Sequence, residues 1–165
     1  NTNYVDYLIE RAREGRKRAF LDLCEINLNN IFTLIYRLLA DFESTKLITI
    51  KTFFVSMDNL DSYESKIPYT IWLKNLAIIN SITELQRIQI APVIPKERKD
   101  CNSDTEFLEH LIMSLPTEDR IIFVLHDLEG YSYPEIRNFI DSLEIDEIKS
   151  NLIKTRDYLM SKISL

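Results

Sequence analysis

The sequence predicts an all-α protein: two small helical domains joined by a linker, the second with a helix-turn-helix. Apolar residues recur at helical spacing along almost all of the 165 residues. Only two glycines occur, Gly15 and Gly130, whereas an all-β fold needs many turn residues with positive φ. A polar stretch with Pro92 and Pro95 interrupts the helical pattern and separates the two domains.

Residues 1–87 are predicted to form the first helical domain. Its second helix has a wide apolar stripe, as a central core helix should have. Ser44 is predicted to cap the third helix, and Pro68 suits the first turn of the fourth. The predicted helices lie near Tyr4–Glu14, Ala19–Leu39, 44–59 and from Pro68 onward.

Residues 88–104 are predicted to be the linker, and residues 105–165 the second domain. Within that domain Thr117 is predicted to cap a helix, and Gly130 stands where a helix needs a left-handed C′ residue. Ser132–Glu135 has the pattern of a capping box, with a proline in the first turn. A final helix from about Asp146 completes a helix-turn-helix.

The net charge of −6 counts against simple phosphate-driven binding of nucleic acid. Residues 105–165 hold 6 Lys+Arg and 12 Asp+Glu, so the half with the helix-turn-helix is the acidic half. We find no metal-ligand spacing, catalytic constellation or phosphate loop, and expect no enzyme activity, metal or cofactor. No apolar run approaches the roughly 20 residues of a membrane span, and no signal peptide opens the chain, which indicates a cytoplasmic protein without a membrane partner.

Five short segments carry a resemblance to a known family: Ala12-Arg13-Glu14-Gly15, Tyr36-Arg37-Leu38-Leu39, Thr52-Phe53, Pro68-Tyr69-Thr70-Ile71-Trp72-Leu73 and Lys149-Ser150. Their order resembles regions 2 and 4 of the bacterial sigma factors of the extracytoplasmic-function (ECF) group. Both glycines also fall at glycine positions of that family.

The resemblance implies an RNA polymerase sigma factor that acts in transcription initiation through promoter recognition. In the family, the third helix docks on the β′ clamp helices of core RNA polymerase, which here assigns docking to Ile50, Lys51 and Phe53. Promoter DNA is the second implied partner, and an anti-sigma factor is a further candidate.

Two groups of residues are assigned to DNA by the same resemblance, although Trp72 fits a core position at least as well. The DNA-binding residues of the helix-turn-helix are Lys149, Ser150, Asn151, Lys154 and Arg156. Those of the region 2-like domain are Trp72, Lys74, Asn75 and Asn80.

Departures from the family pattern support an alternative function. The polar docking segment has become apolar at Leu47 and Ile50 and positive at Lys51, while Asp146 and Glu147 open the recognition helix. A sigma-like protein that has lost promoter recognition and acts as a protein-interaction or regulatory module would show such changes. An unrelated all-helical binding protein is a third interpretation.

Overall fold

All regular structure in the computed structural model is helical. The structure describes residues 2–163, and no strand occurs among them, so the all-α prediction is confirmed. None of the described helices is long and apolar enough to cross a bilayer. The helices are α1 (Thr2–Arg13), α2 (Lys17–Leu39), α3 (Phe42–Asp58), α4 (Tyr69–Arg87), α5 (Asp104–Ser114), α6 (Thr117–Phe123), α7 (Tyr133–Phe139) and α8 (Ile145–Ile163).

The described chain separates into two compact units. The first contains the described residues up to Tyr36 together with Asp41–Arg87, and the second contains Arg37–Ala40 and the described residues from Ile88 onward. Between α4 and α5 the regular structure is the short 3-10 turn Arg98–Asp100. We propose that this segment is the interdomain linker.

The core of the first unit consists mainly of aliphatic side chains from α1, α2 and α4. Helix α3 instead contributes mainly threonine and serine side chains. It packs mainly against α4 and buries hydroxyl side chains there. The Thr52 hydroxyl donates to the Ile48 carbonyl over 2.8 Å, so its polar atom is satisfied within α3. Fully buried aliphatic residues of this unit include Leu23, Ile31, Leu34, Ile35, Leu73 and Ile78.

Two predicted helix caps are wrong. Asp41, rather than Ser44, caps α3: its backbone is extended and its carboxylate accepts the Ser44 N–H over 2.8 Å. This hydrogen bond lowers the pKa of Asp41. Thr117 is already helical, and the preceding Pro116 makes no side-chain cap. In both cases the helix begins earlier than predicted, by three residues at Ser44 and by one residue at Thr117.

The second unit is organised around a core cluster from α5 and α8. Local signals are confirmed here: Gly130 has φ of +79°, and Ser132 and Glu135 form a reciprocal capping box at the start of α7. Helix α6 continues as one π-helical turn over Val124–Leu128, which the sequence pattern does not indicate. The cluster contains Phe107, Leu111, Leu115 and Leu159.

Candidate functional sites

Helix α3 exposes its large apolar side chains. Leu47, Ile50 and Phe54 are 66%, 55% and 58% exposed, and Met57 continues the same series. The spacing of three, four and three residues places them in one stripe along the helix. A contiguous exposed apolar stripe indicates an interaction surface.

Four of the five buried residues of α3 carry a hydroxyl group. They are Thr45, Thr49, Thr52 and Ser56, and the fifth is Ile48. Thus the helix turns hydroxyl side chains inward and bulky apolar side chains outward, the reverse of an ordinary surface helix. Packing within the unit gives no reason for the outer stripe.

The stripe borders a groove between α2 and α3, within the first unit. Its volume is about 410 Å³. Burial raises the pKa of the Cys24 thiol to about 11, so at neutral pH this thiol is an uncharged, apolar part of the lining. The groove is lined by Lys17, Phe20, Leu21 and Cys24 from α2 and by Ile50, Phe53, Phe54 and Met57 from α3.

The three residues assigned to docking lie close together. Ile50 and Phe53 both line the groove, and Phe53 is half-buried. Lys51 is exposed beside them, and its charge contributes to lowering the pKa of Glu84 after the larger effect of Arg87. Leu21, which α2 supplies to the same groove, was not assigned a role from the sequence.

Trp72 belongs to a cluster of three aromatic rings. Its ring centroid lies 5.3 Å from that of Tyr63 and 5.6 Å from that of Tyr69. Both tyrosines are buried, as a packing role predicts, and burial raises the pKa of Tyr69 to about 12. Trp72 itself is half-buried, so it packs in the cluster while part of its side chain remains at the surface.

Arg13 fixes the loop that precedes this cluster. Its guanidinium donates to the Leu60 carbonyl over 3.1 Å and also to the Tyr63 carbonyl. The Tyr63 hydroxyl donates to the Ile67 carbonyl over 2.7 Å, which closes the loop on itself. Sequence reasoning missed this role, because the contact joins residues about fifty positions apart.

The other region 2-like residues are not grouped around Trp72. Asn80 is 9% exposed, and its amide donates to the Thr52 hydroxyl over 3.2 Å. It therefore joins α4 to α3 instead of facing solvent. Lys74 and Asn75 are half-buried on α4.

Helices α7 and α8 form the helix-turn-helix, with α8 in the position of the recognition helix. Its buried side consists of Ile148, Leu152, Thr155 and Leu159.

Two of the five predicted DNA-binding residues of α8 are hydrogen-bonded to carboxylates of their own unit. The Arg156 guanidinium donates to both carboxylate oxygens of Asp127, with 2.8 Å between Nε and Oδ2. This hydrogen-bonded pair lowers the pKa of Asp127. The Asn151 amide donates to Glu118 over 3.1 Å.

The remaining three predicted residues are exposed on α8. The Lys149 Nζ lies 5.6 Å from the ring centroid of Tyr133, on which His126 also stacks at 4.6 Å. Ser150 and Lys154 are exposed on the same side. The structure also exposes Ile153 between them, which the sequence pattern did not single out.

The acidic start of α8 has a structural explanation. The Glu147 carboxylate accepts the Glu144 N–H over 2.8 Å, in the manner of the second half of a capping box. Glu147 thus occupies the N-terminal end that would otherwise attract a phosphate. In the described part of the chain, no group of three or more His, Cys, Asp or Glu side chains is placed to hold a metal ion.

Comparisons with known proteins agree with this arrangement. The family model for sigma-70, region 4, matches residues 107–136. The ECF RNA polymerase sigma factor SigW of Bacillus subtilis (strain 168) is 20% identical over 177 aligned residues, which cover 94% of this chain and 94% of that protein.

Two solved structures share the fold. The sigma factor RpoE from Bartonella quintana, in complex with the anti-sigma factor NepR, superposes with a TM-score of 0.65 at 15% identity, covering 88% of this chain and 97% of that one. CnrH in complex with the cytosolic domain of CnrY gives a TM-score of 0.61 at 19% identity, covering 98% and 96%.

The all-helical fold, the helix-turn-helix of the second unit and the match to sigma-70, region 4, are features that this chain shares with sigma factors. Together these similarities support a diverged sigma factor of the ECF group.

Proposed function

We propose that this protein binds core RNA polymerase through α3 and directs it to promoters through α8. The observation that carries the proposal is the apolar stripe of α3, whose side chains Leu47, Ile50 and Phe54 are each more than half exposed. By the resemblance to the ECF group, this stripe corresponds to the segment with which that family docks on the β′ clamp helices. A stripe spaced by three and four residues suits a helix as its partner.

The chemistry of this docking face differs from that of the family. Where the family has polar and acidic residues, this chain has apolar residues and Lys51, so apolar burial should contribute more of the binding free energy and charge less. We propose that Ile50 and Phe54 are its central anchors. Phe53, which is half-buried, mainly supports them.

For promoter DNA, we propose that Lys149, Ser150 and Lys154 contact the minus-thirty-five element. Arg156 and Asn151 act mainly by positioning α8, since both have partners in the second unit. Trp72 is the proposed contact of the first unit to the minus-ten element, with Lys74 and Asn75 beside it on α4. Asn80 packs α4 on α3 and is left out of this set.

An anti-sigma factor is a further proposed partner. The two solved relatives are RpoE in complex with NepR and CnrH in complex with the cytosolic domain of CnrY. The exposed stripe of α3 and the adjoining groove would suit a helix from such a protein as well as from polymerase. With these partners, we place the protein in the cytoplasm and assign it no catalytic role.

The alternative is a regulatory module that binds protein but no longer reads promoters. The acidic second unit and the Arg156–Asp127 pair favour it, because both reduce the positive charge that α8 presents to phosphate. The relationship to SigW supports the sigma function instead.

Promoter-dependent transcription with purified core polymerase tests the proposal. We expect Phe54→Asp to abolish both co-purification with core polymerase and transcript formation, because a carboxylate would be buried in an apolar interface. Ile26→Asp is the matched control: Ile26 is an exposed apolar residue of α2 outside the groove. Polymerase binding without transcription from any promoter would favour the regulatory module.

A further inference from the structure

Ile153 stands out on the exposed side of α8. Its side chain is 58% exposed, although it lies in the middle of the helix. The packing of α8 is supplied by its buried side, to which Ile153 does not belong. Lys149 and Ser150 lie one turn before it, and Lys154 follows it directly, so all four point outward from the same side of the helix.

The neighbours of Ile153 suit a DNA surface. The two lysines provide the positive charge that phosphates require, and the Ser150 hydroxyl can bond to a phosphate or a base edge. A recognition helix in the major groove reads bases mainly with its N-terminal half. Ile153 is the last exposed apolar residue within that half, whereas Met160 lies about 10 Å further along the axis.

The chemistry of Ile153 restricts what it can recognise. A branched aliphatic side chain has no hydrogen-bond donor or acceptor, so it cannot select a base through the polar groups of the groove. The apolar feature that the major groove offers is the C5-methyl group of thymine.

We propose that Ile153 is a specificity-determining residue that packs against a thymine methyl in the promoter's major groove. This inference rests on the proposed reading of DNA by α8 and names a base that the helix selects. It adds an apolar contact to a helix face whose other proposed contacts are polar or charged.

Substitution of deoxyuridine for thymidine tests the proposal, because the two nucleotides differ only in the C5-methyl group. The full chain, assembled with core polymerase, is first used to select duplexes from a random library. Each thymidine of the selected duplex is then replaced in turn by deoxyuridine, and the dissociation constant is measured. Loss of one buried methyl group should weaken binding about three- to fivefold at one position.

Variants connect that effect to Ile153. In Ile153→Ala the same replacement should change the dissociation constant by less than about twofold, because the packing partner is gone. Met160→Ala is the matched control and should keep the full deoxyuridine effect. Since Ile153 and Met160 are both exposed, neither variant should change the thermal unfolding midpoint appreciably.

The outcomes separate this inference from the proposed function. A selected duplex that is insensitive to deoxyuridine, or whose sensitivity persists in Ile153→Ala, overturns the thymine contact and leaves promoter recognition standing. Failure to select any duplex, while the complex with core polymerase forms, overturns the proposed DNA reading and this inference with it.

Discussion

Arg156 of α8 holds Asp127 of the π-helical turn through both oxygens of its carboxylate. The pair lies inside the second unit and joins the recognition helix to the helix that ends just before the turn. Arg156, which the family resemblance assigns to DNA binding, is therefore already paired with a carboxylate of its own unit. Its main effect is to fix the orientation of α8, and its charge is largely compensated before any phosphate approaches.

Removal of this carboxylate should weaken the fold and strengthen DNA binding. We expect Asp127→Asn to lower the free energy of unfolding at pH 7 by about 1 kcal/mol, a modest value because Arg156 is nearly half exposed. DNA binding should tighten, because the positive charge of Arg156 is no longer compensated by a neighbouring carboxylate. Asp157→Asn, at an exposed position of the same helix, controls for the change of net charge.

The stability effect should depend on pH with a definite sign. The pKa of Asp127 is lowered in the folded state, chiefly by its hydrogen bonds to Arg156. Its stabilisation is therefore complete above the ordinary carboxyl pKa of about 4 and is lost as the pH falls through the lower folded value. Urea unfolding at pH 7 and pH 3 should show a smaller difference between wild type and Asp127→Asn at pH 3. An equal difference at both pH values would contradict the ion-pair explanation.

The acidic start of α8 should limit affinity for DNA. We expect the full chain without core polymerase to bind duplex DNA at best in the non-specific range, roughly 10⁻⁴ to 10⁻⁶ M, and Asp146→Asn with Glu147→Gln to tighten that binding. Glutamine retains the capping-box geometry at position 147, so the fold should be preserved. Titration at low and moderate salt measures the change. Tight, sequence-specific binding by the unmodified chain would show that these carboxylates matter little.

Restoring the family charge on α3 should strengthen polymerase binding. We expect Lys51→Glu to lower the dissociation constant for core polymerase, because a carboxylate returns at the place where the family docks with one. Lys46→Glu reverses an exposed charge on the same helix that is already paired with Glu43, and serves as the control. If neither wild type nor Lys51→Glu binds core polymerase, the sigma function fails.

Two residues with positive φ should respond to substitution in opposite directions. Gly130 has φ of +79°, and a Cβ added there meets no atom within 4 Å, so Gly130→Ala tests backbone strain alone. Gly130→Ala should lower the free energy of unfolding by about 1–2 kcal/mol.

Ala40 has φ of +54°, and Ala40→Gly should raise the free energy of unfolding by about 0.5–1 kcal/mol. The reason is that relief of backbone strain in the folded state exceeds the added conformational entropy of the unfolded chain. Denaturant unfolding of both variants measures the two shifts.

Local chemistry explains why much of the fold was predictable. The capping box of Ser132 and Glu135 and the left-handed Gly130 depend on residues within a few positions of each other, so the sequence pattern is sufficient to identify them. Helical periodicity likewise predicted an all-α chain. The cap at Asp41 was missed, since aspartate and serine are both good caps and stand three residues apart.

The candidate sites depended on contacts between distant residues. On α3, hydroxyl residues at 45, 49, 52 and 56 and apolar residues at 47, 50, 54 and 57 both repeat at helical spacing, so the sequence is compatible with either side facing the core. The choice depends on α4, where Asn80 donates to Thr52 and the small side chains let the helices pack. Arg156 and Ile153 show the same dependence: one is paired and the other exposed because of how α8 packs in its unit. Residue types and spacing thus determined the helices and their family resemblance, whereas tertiary packing decided which side chains remain at the surface to bind a partner.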